Sequence, residues 1–198
     1  EIGGNSMNET QNLSEFVYST SFNKIPGHIL ELAKFYILDL IGCAIFGTKT
    51  PWGKIIIDFS LSNSGSGNST ILGVAGGKYG PLMAALANGT CAHGFELDDV
   101  HSPSISHPGS VVIPAVLALG EANHVSGKNI IESVIVGYEV MGRLGSAIAA
   151  NHLAKGFHPT GTFGVFGAAA ACSKLLGLSP DEIQNALGIA GSSASGLA

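Results

Sequence analysis

Imidazole and carboxylate side chains are concentrated in one short stretch of this sequence, AHGFELDDVHSPSISHPGS, which covers residues 92–110. The stretch holds three of the seven histidines and three of the fourteen acidic residues, although charged residues make up only 12% of the chain. Both types of side chain act as general acids and bases, and both bind metal ions. Their concentration in an otherwise apolar chain predicts a site for proton transfer or for a metal ion.

A second histidine lies in a similar local setting further along the chain. The segment GFHPTGT, residues 156–162, places His158 directly before a proline and ahead of an apolar segment. His107 has the same form in the segment HPGS. Turns held between rigid helices commonly carry reactive groups, and the N-terminus of a helix attracts anions. The two turns therefore predict one pocket that accepts a carboxylate substrate.

Two other interpretations of the first stretch stay open at this point. Asp98, Asp99, His101 and His107 could form a metal site of a hydrolase, since carboxylate and imidazole are ligands of zinc, manganese and iron. The sequence has no HxxxH or HExxH spacing, so such a site would need further residues from elsewhere. In the structural interpretation, the two aspartates cap the next segment and the histidines lie on a solvated loop.

Composition and charge exclude several classes of function. The net charge is −5 and no cluster of Lys and Arg occurs, which argues against nucleic acid and anionic membranes as partners. The mean hydropathy is +0.37, but no uncharged apolar run reaches the roughly 20 residues of a membrane span. The three cysteines are far apart, which argues against a disulfide framework and for a reducing compartment, so we expect a cytoplasmic protein.

Apolar residues at helical spacing predict helices along almost the whole chain. The predicted helices cover residues 13–19, 26–47, 51–59, 81–95, 109–123, 126–152 and 163–176, and a further helix begins at Pro180 behind a capping box of Ser179 and Glu182. Residues 60–69 are predicted as a loop and residues 70–73 as a short extended piece. The expected fold is all-α, a multi-helix, bundle-like domain with close-packed Gly- and Ala-rich helices. Residues 1–6 are expected to be an expression remnant.

A series of motifs gives the chain a resemblance to one known family. The motifs are LDLIGCA at 38–44, ALANGTCAH at 85–93, ELDDVH at 96–101, HPGSVVIPA at 107–115, GYEV at 137–140, GFHPT at 156–160 and AACSKLLGL at 170–178. With these motifs in this order, the chain resembles the N-terminal part of the MmgE/PrpD family of lyases and epimerases. The resemblance implies that residues 7–198 are an incomplete helical N-terminal domain, followed in the family by a smaller α+β domain. We expect this length of chain alone to be inactive.

The resemblance also implies the chemistry. It implies a homodimer and a reaction without a cofactor or a metal, on small di- or tricarboxylates. His107 and His158 match active-site positions beside an acidic position that matches Glu96, so these three are the expected catalytic residues. The expected substrate-binding residues are Asp98, Asp99, His101, Lys155 and Thr160. One imidazole would remove or deliver a proton at a carbon next to a carboxylate, and the other, or Glu96, would protonate a departing hydroxyl.

Two positions depart from the family pattern. Glu96 stands where the family often has Asp, and Val100 stands where some members have Thr. The missing hydroxyl at Val100 argues against a plain cis-aconitate decarboxylase. We therefore expect activity like that of 2-methylcitrate dehydratase. The alternatives are cis-aconitate decarboxylation, iminodisuccinate epimerisation and a non-catalytic helical dimerisation module.

Overall fold

Eight α-helices account for most of the residues that the computed structural model describes, residues 9–197. They are α1 (Glu9–Ser19), α2 (Gly27–Gly47), α3 (Pro51–Asn63), α4 (Pro81–His93), α5 (Gly109–Ala122), α6 (Gly127–Ala154), α7 (Pro159–Leu176) and α8 (Pro180–Ser193). The predicted all-α fold is confirmed. The predicted expression remnant lies outside the described residues. Within the described residues, no helix combines the length and the apolar character needed to cross a membrane.

Local capping chemistry sets where several helices begin. The Thr50 hydroxyl accepts a hydrogen bond from the Gly53 N–H at 3.0 Å and opens α3. The predicted capping box at the start of α8 is confirmed, because the Ser179 N–H donates to Glu182 Oε2 at 2.9 Å and the Glu182 N–H donates back to the Ser179 hydroxyl. At the end of α7, Gly177 adopts a left-handed conformation with φ of 67°, which glycine allows without steric cost.

The prediction for residues 60–73 was wrong in its boundaries. Helix α3 continues to Asn63, and the Ser62 and Asn63 side chains donate hydrogen bonds to the carbonyls one turn earlier. The extended piece is β1 (Ser66–Ser69), which bridges to Tyr79, whereas the following residues 71–74 form a turn closed by a hydrogen bond from the Val74 N–H to the Ile71 carbonyl.

Glycines let the three helices that carry most of the core approach one another closely. Helix α5 contributes the fully buried Val112, and α6 and α7 pack on either side of it. A Cβ atom added at Gly137 of α6 would lie 2.6 Å from Val112 Cγ1 and 2.9 Å from both Ala171 Cβ and the Gly167 carbonyl oxygen. No side chain fits there without moving the helices apart, so the small residue sets the packing distance.

Replacing Gly137 with alanine is expected to lower the free energy of unfolding by about 1–3 kcal/mol, because the added methyl overpacks the contact between the helices. Gly188 provides a matched control, since it lies inside α8 and an added Cβ meets no atom within 4 Å. Gly188→Ala is expected to raise the same free energy by up to about 1 kcal/mol through helix propensity. Urea unfolding of both variants measures the difference, and equal effects would contradict this account of the core.

Candidate active site

Three helix ends bring three histidines together. His93 is the last residue of α4, His107 lies just before α5, and His158 lies just before α7. The ring centroids of His93 and His107 are 4.7 Å apart, and those of His93 and His158 are 6.0 Å apart. The two turns that the sequence singled out therefore meet, and they meet around a third imidazole on α4.

A tight turn before α5 sets the position of His107. The N–H of His101 donates to the Ser106 carbonyl at 2.9 Å and closes residues 101–106 into a small hairpin. Ser104 inside this hairpin is fully buried, and it packs at Gly145 of α6, where an added Cβ would lie 2.4 Å from Ser104 Cβ. The hairpin is thereby fixed to α6, and His107 emerges from it at a defined place.

Thr160 joins the two histidine turns. Its hydroxyl, which is buried in the first turn of α7, accepts a hydrogen bond from the backbone N–H of His107 at 3.0 Å. This bond links the start of α7 to the residue before α5. The structure therefore gives Thr160, predicted as a substrate-binding residue, a contact that holds His107 in place relative to His158.

Asp98 lies on the buried side of the imidazoles. Its side chain is fully buried, and its two oxygens lie 3.2 and 3.1 Å from His93 Nδ1. Because a carboxylate only accepts hydrogen bonds, His93 Nδ1 carries a proton. This hydrogen bond raises the pKa of His93, against the opposing effect of burial and with help from the charges of Asp98 and Glu96.

His107 is held beside the same carboxylate but is not hydrogen-bonded to it. Its buried Nδ1 lies 3.3 Å from Asp98 Oδ1, an ion-pair separation, but has no hydrogen-bond partner. Most buried polar atoms are paired, and those that are not often mark functional sites. The unsatisfied nitrogen therefore separates His107 from an ordinary structural histidine.

Glu96 lies on the solvent side of the same imidazoles. Its backbone is left-handed, with φ of 56°, and its N–H donates to the His93 carbonyl at 3.0 Å to close the turn after α4. The carboxylate is 69% exposed and lies 3.7 Å from His93 Nε2 and 3.6 Å from His107 Nε2. Two imidazoles are thus placed between one buried and one exposed carboxylate. Non-glycine residues in this backbone region store strain that commonly accompanies functional sites.

His158 caps α7 with its own side chain. Its Nδ1 accepts a hydrogen bond from the Gly161 N–H at 3.3 Å, so α7 begins at Pro159 rather than at the predicted residue 163. Burial lowers the pKa of His158, and the neighbouring His93 and His107 lower it further. The neutral ring carries its proton on Nε2, because Nδ1 is the acceptor of the capping bond.

A cavity of about 430 Å³ opens between α4, α5 and the start of α7. Its polar lining residues are His93, His158, Thr90, Thr160 and Ser110, and the other lining residues are Ala85, Leu86, Gly89, Gly94, Val111 and Gly161. Its volume lies within the range of sites for small molecules. His107 stands behind His93, with its side chain 18% exposed and its Nε2 directed to Glu96.

Of the five predicted substrate-binding residues, only Thr160 lines this cavity; Asp98 lies on the buried side of His93, and the other three are placed elsewhere. Asp99 accepts a hydrogen bond from the Gly109 N–H at 2.9 Å and so fixes the start of α5, and burial raises its pKa. His101 Nδ1 lies 2.7 Å from the Ser104 hydroxyl, and its ring packs against Gly142 of α6. Lys155 is exposed at the end of α6 and is not part of the cavity wall.

The metal set considered from the sequence is not assembled, since Asp99 and His101 face elsewhere. His93, Asp98 and His107 do have donor atoms within 4.8 Å of one another. His93 Nδ1 lies at hydrogen-bond distance from both Asp98 oxygens, so binding a metal through this nitrogen would require the loss of its proton. The arrangement is that of a carboxylate that orients imidazoles for proton transfer.

Asp98→Asn is expected to lower the free energy of unfolding by about 1.5–3 kcal/mol at pH 6, because a charge-assisted hydrogen bond to His93 is lost. The folded-state pKa of His93 is raised, so this stabilisation is complete below the usual histidine value of about 6.5 and is lost as the pH rises through the folded-state pKa. The difference from wild type should therefore shrink at alkaline pH. Urea unfolding between pH 5 and pH 9 measures it. Asp58→Asn, at an exposed position of α3, is the control, and a pH-independent difference at Asp98 would contradict the pairing.

Comparison with known proteins agrees with this architecture. Residues 11–198 match the MmgE/PrpD N-terminal domain. The chain is 37% identical over 198 residues to the cis-aconitate decarboxylase-like protein oryM of Aspergillus oryzae, covering 96% of this chain and 41% of that protein. It is 37% identical over 194 residues to cis-aconitate decarboxylase of Aspergillus terreus, covering 95% of this chain and 39% of that enzyme.

The human enzyme named cis-aconitate decarboxylase is also similar, with 34% identity over 186 residues, 91% of this chain and 38% of that protein. The chain thus spans about two-fifths of the length of these relatives. The match to the domain covers nearly every residue of the chain, including both histidine turns. On this basis, the chain belongs to the MmgE/PrpD family and carries its N-terminal domain.

Proposed function

We propose that the full-length protein is a lyase that removes a carboxyl group from a small tricarboxylate such as cis-aconitate. The observation that carries this proposal is the convergence of three imidazoles and two carboxylates beside a cavity whose wall includes His93 and His158, with Asp98 buried and Glu96 exposed. The relatives named as cis-aconitate decarboxylases support decarboxylation, which was one of the alternatives to dehydration. They do not support 2-methylcitrate dehydration, the activity first expected.

Val100 carries less weight than its departure from the family pattern suggested. Its side chain is 62% exposed and lies in a different depression, together with Phe35, Leu38 and Leu97, rather than in the wall of the histidine cavity. A hydroxyl at this position would not face the cavity in this structure. The valine therefore does not argue against decarboxylation at the histidines.

The reaction needs one proton donor and a place for negative charge. When cis-aconitate loses carbon dioxide, the electron pair of the broken bond shifts through the neighbouring double bond. The carbon next to another carboxylate then takes up one proton. We assign delivery of this proton to His107, and its replacement from solvent to the exposed Glu96. His158 donates a hydrogen bond through Nε2, which stabilises a substrate carboxylate or the developing negative charge.

Turnover by the full-length protein tests the proposal. The substrates to compare are cis-aconitate, 2-methylcitrate, citrate and iminodisuccinate, with products identified by proton NMR and released carbon dioxide measured separately. We expect carbon dioxide and a five-carbon dicarboxylate from cis-aconitate. Loss of water from 2-methylcitrate without release of carbon dioxide would assign a dehydratase instead. Absence of turnover with all four substrates would refute a lyase of this class.

The homodimer and the non-catalytic dimerisation module remain predictions. Helix α2 presents an exposed apolar stripe that includes Phe35, Leu38 and Phe46. An extended exposed apolar surface is typical of contact with other protein. Light scattering on the full-length protein tests the dimer. A dimer without turnover of any of the four substrates would favour the non-catalytic module.

A further inference from the structure

In the described part of the chain, imidazoles are the only side chains of the cavity wall that can carry positive charge. Neither Lys nor Arg contributes to its wall among the described residues, and its two titratable lining side chains are His93 and His158. A di- or tricarboxylate carries two or three negative charges, and burying these charges without a partner is costly. An imidazolium in this wall would offset part of that charge, and the two imidazoles of the wall are the groups of the described residues that can do so.

We propose that His93 is the group that binds a substrate carboxylate, as an imidazolium that Asp98 holds from the buried side while Nε2–H faces the cavity. This inference rests on the proposed function, and it adds a residue outside the expected catalytic set of His107, His158 and Glu96. Of the two imidazoles next to Asp98, His93 is the one that forms part of the cavity wall.

The contacts of Asp98 fix the orientation and charge of His93. Both carboxylate oxygens lie within 3.2 Å of Nδ1, and the carboxylate is fully buried. Buried charges are retained when they are paired, and His93 provides the aligned partner here. The ring is therefore anchored through Nδ1, which leaves Nε2 as the ring nitrogen available to a ligand.

Nε2 of His93 is free to bind a ligand. The nearest carboxylate oxygen to it is Glu96 Oε1, at 3.7 Å, which is too long for a hydrogen bond. Glu96 is largely exposed, so a substrate carboxylate can replace this weak contact with a hydrogen bond of normal length. The displaced Glu96 carboxylate remains exposed to solvent.

The surroundings separate the charges of the two cavity imidazoles. The charged and titratable groups that face His93 are Asp98 and Glu96 from the turn after α4, His107 from the turn before α5, and His158 from α7. The hydrogen bond to Asp98 raises the pKa of His93, whereas burial lowers that of His158. Pairs of groups shifted in opposite directions commonly have different roles in one site.

The kinetic test uses the full-length His93→Gln variant with cis-aconitate. The glutamine amide can still donate to Asp98, so the fold is retained while the charge is removed. We expect KM to rise about 10- to 100-fold, the effect of losing a charged hydrogen bond, with kcat changed less than about 5-fold. His124→Gln, which removes an exposed imidazole, is the control and should leave both constants unchanged. An unchanged KM in His93→Gln, or a loss confined to kcat, would overturn the assignment.

The pH dependence provides a readout that a purely structural role would not change. The wild-type KM should rise as the pH increases through the raised pKa of His93, because the imidazolium loses its charge. This rise should be absent in His93→Gln. If wild-type protein turns over none of the substrates, the proposed function has failed, whereas turnover with an identical pH profile in the variant refutes this inference alone.

A measurement on the wild-type protein keeps the assignment testable even if the variant does not fold. Histidine labelled with ¹⁵N reports the charge and tautomer of each ring by NMR. On raising the pH, His158 should lose its proton before His93, and tricarballylate, an unreactive tricarboxylate, should shift the His93 Nε2 signal. The opposite order of titration, or an unchanged His93 signal with saturating tricarballylate, would refute the proposal.

Discussion

Replacing His107 with asparagine in the full-length protein should lower kcat for cis-aconitate by about 100- to 10,000-fold, the contribution typical of a general acid or base. The fold should survive, because the buried Nδ1 of His107 makes no hydrogen bond that the substitution could break. We expect the melting temperature to change by no more than a few degrees. Steady-state kinetics and thermal unfolding of the same preparation separate the two effects.

The control for His107 is His124→Asn, at an exposed position after α5, which should retain wild-type kcat. A His107→Asn protein that keeps more than about a tenth of the wild-type kcat would be inconsistent with proton delivery by this ring. A collapse of stability along with activity would instead indicate that His107 is a structural residue.

His158→Asn should lower kcat/KM by about 100-fold and leave stability nearly unchanged. Asparagine is a good N-cap residue, so it can replace the bond that His158 Nδ1 accepts from the Gly161 N–H. It cannot replace the Nε2–H that faces the substrate, so activity is lost while the helix cap is kept. His158→Ala should lose both the activity and about 1 kcal/mol of stability. Kinetics and urea unfolding of the two variants distinguish these contributions.

A second cap provides the control for His158. Ser179 opens α8 through its capping box, away from the cavity, and Ser179→Ala should cost a similar free energy of unfolding with no loss of turnover. If His158→Asn were as active as wild type, the role of His158 would be limited to starting α7. If Ser179→Ala were as inactive as His158→Asn, lost stability alone would explain the loss of activity.

Much of the fold follows from local sequence rules. Helical spacing and capping chemistry predicted each of the eight helices, since these signals involve residues only a few positions apart. The start of α7 was missed because an imidazole serves as its cap, a role more usual for Ser, Thr, Asp or Asn. The extent of α3 was missed because polar side chains such as Ser62 favour loops by composition and yet bond to the helix in this structure.

The site was predicted only in part. The turns around His107 and His158 were recognised, but nothing in the spacing along an irregular loop tells which side chains share a face. Asp98 and Asp99 show this clearly, because one is paired with His93 and the other holds the backbone of Gly109. Both aspartates follow the left-handed turn at Glu96. A glutamate gives no sequence signal for such a turn, whereas a glycine would.

The role of His93 could not be predicted from the sequence. It stands at the end of an apolar helix, where a histidine that packs and a histidine that lines a site have the same pattern. Its position became informative only through its contact with Asp98 across an irregular turn and its contact with His158, which is distant along the sequence. Lys155 shows the converse, since its cationic side chain near His158 in sequence is exposed away from the cavity.

Chemical footprinting of the histidines tests whether the cavity between α4, α5 and α7 is where the substrate binds. The full-length protein is treated with diethyl pyrocarbonate, with and without tricarballylate, and the modification of each histidine is measured by mass spectrometry. Tricarballylate should protect His93, His107 and His158, and should leave the exposed His28 and His124 unchanged. Equal modification of His93, His107 and His158 with and without saturating tricarballylate would contradict the site described here.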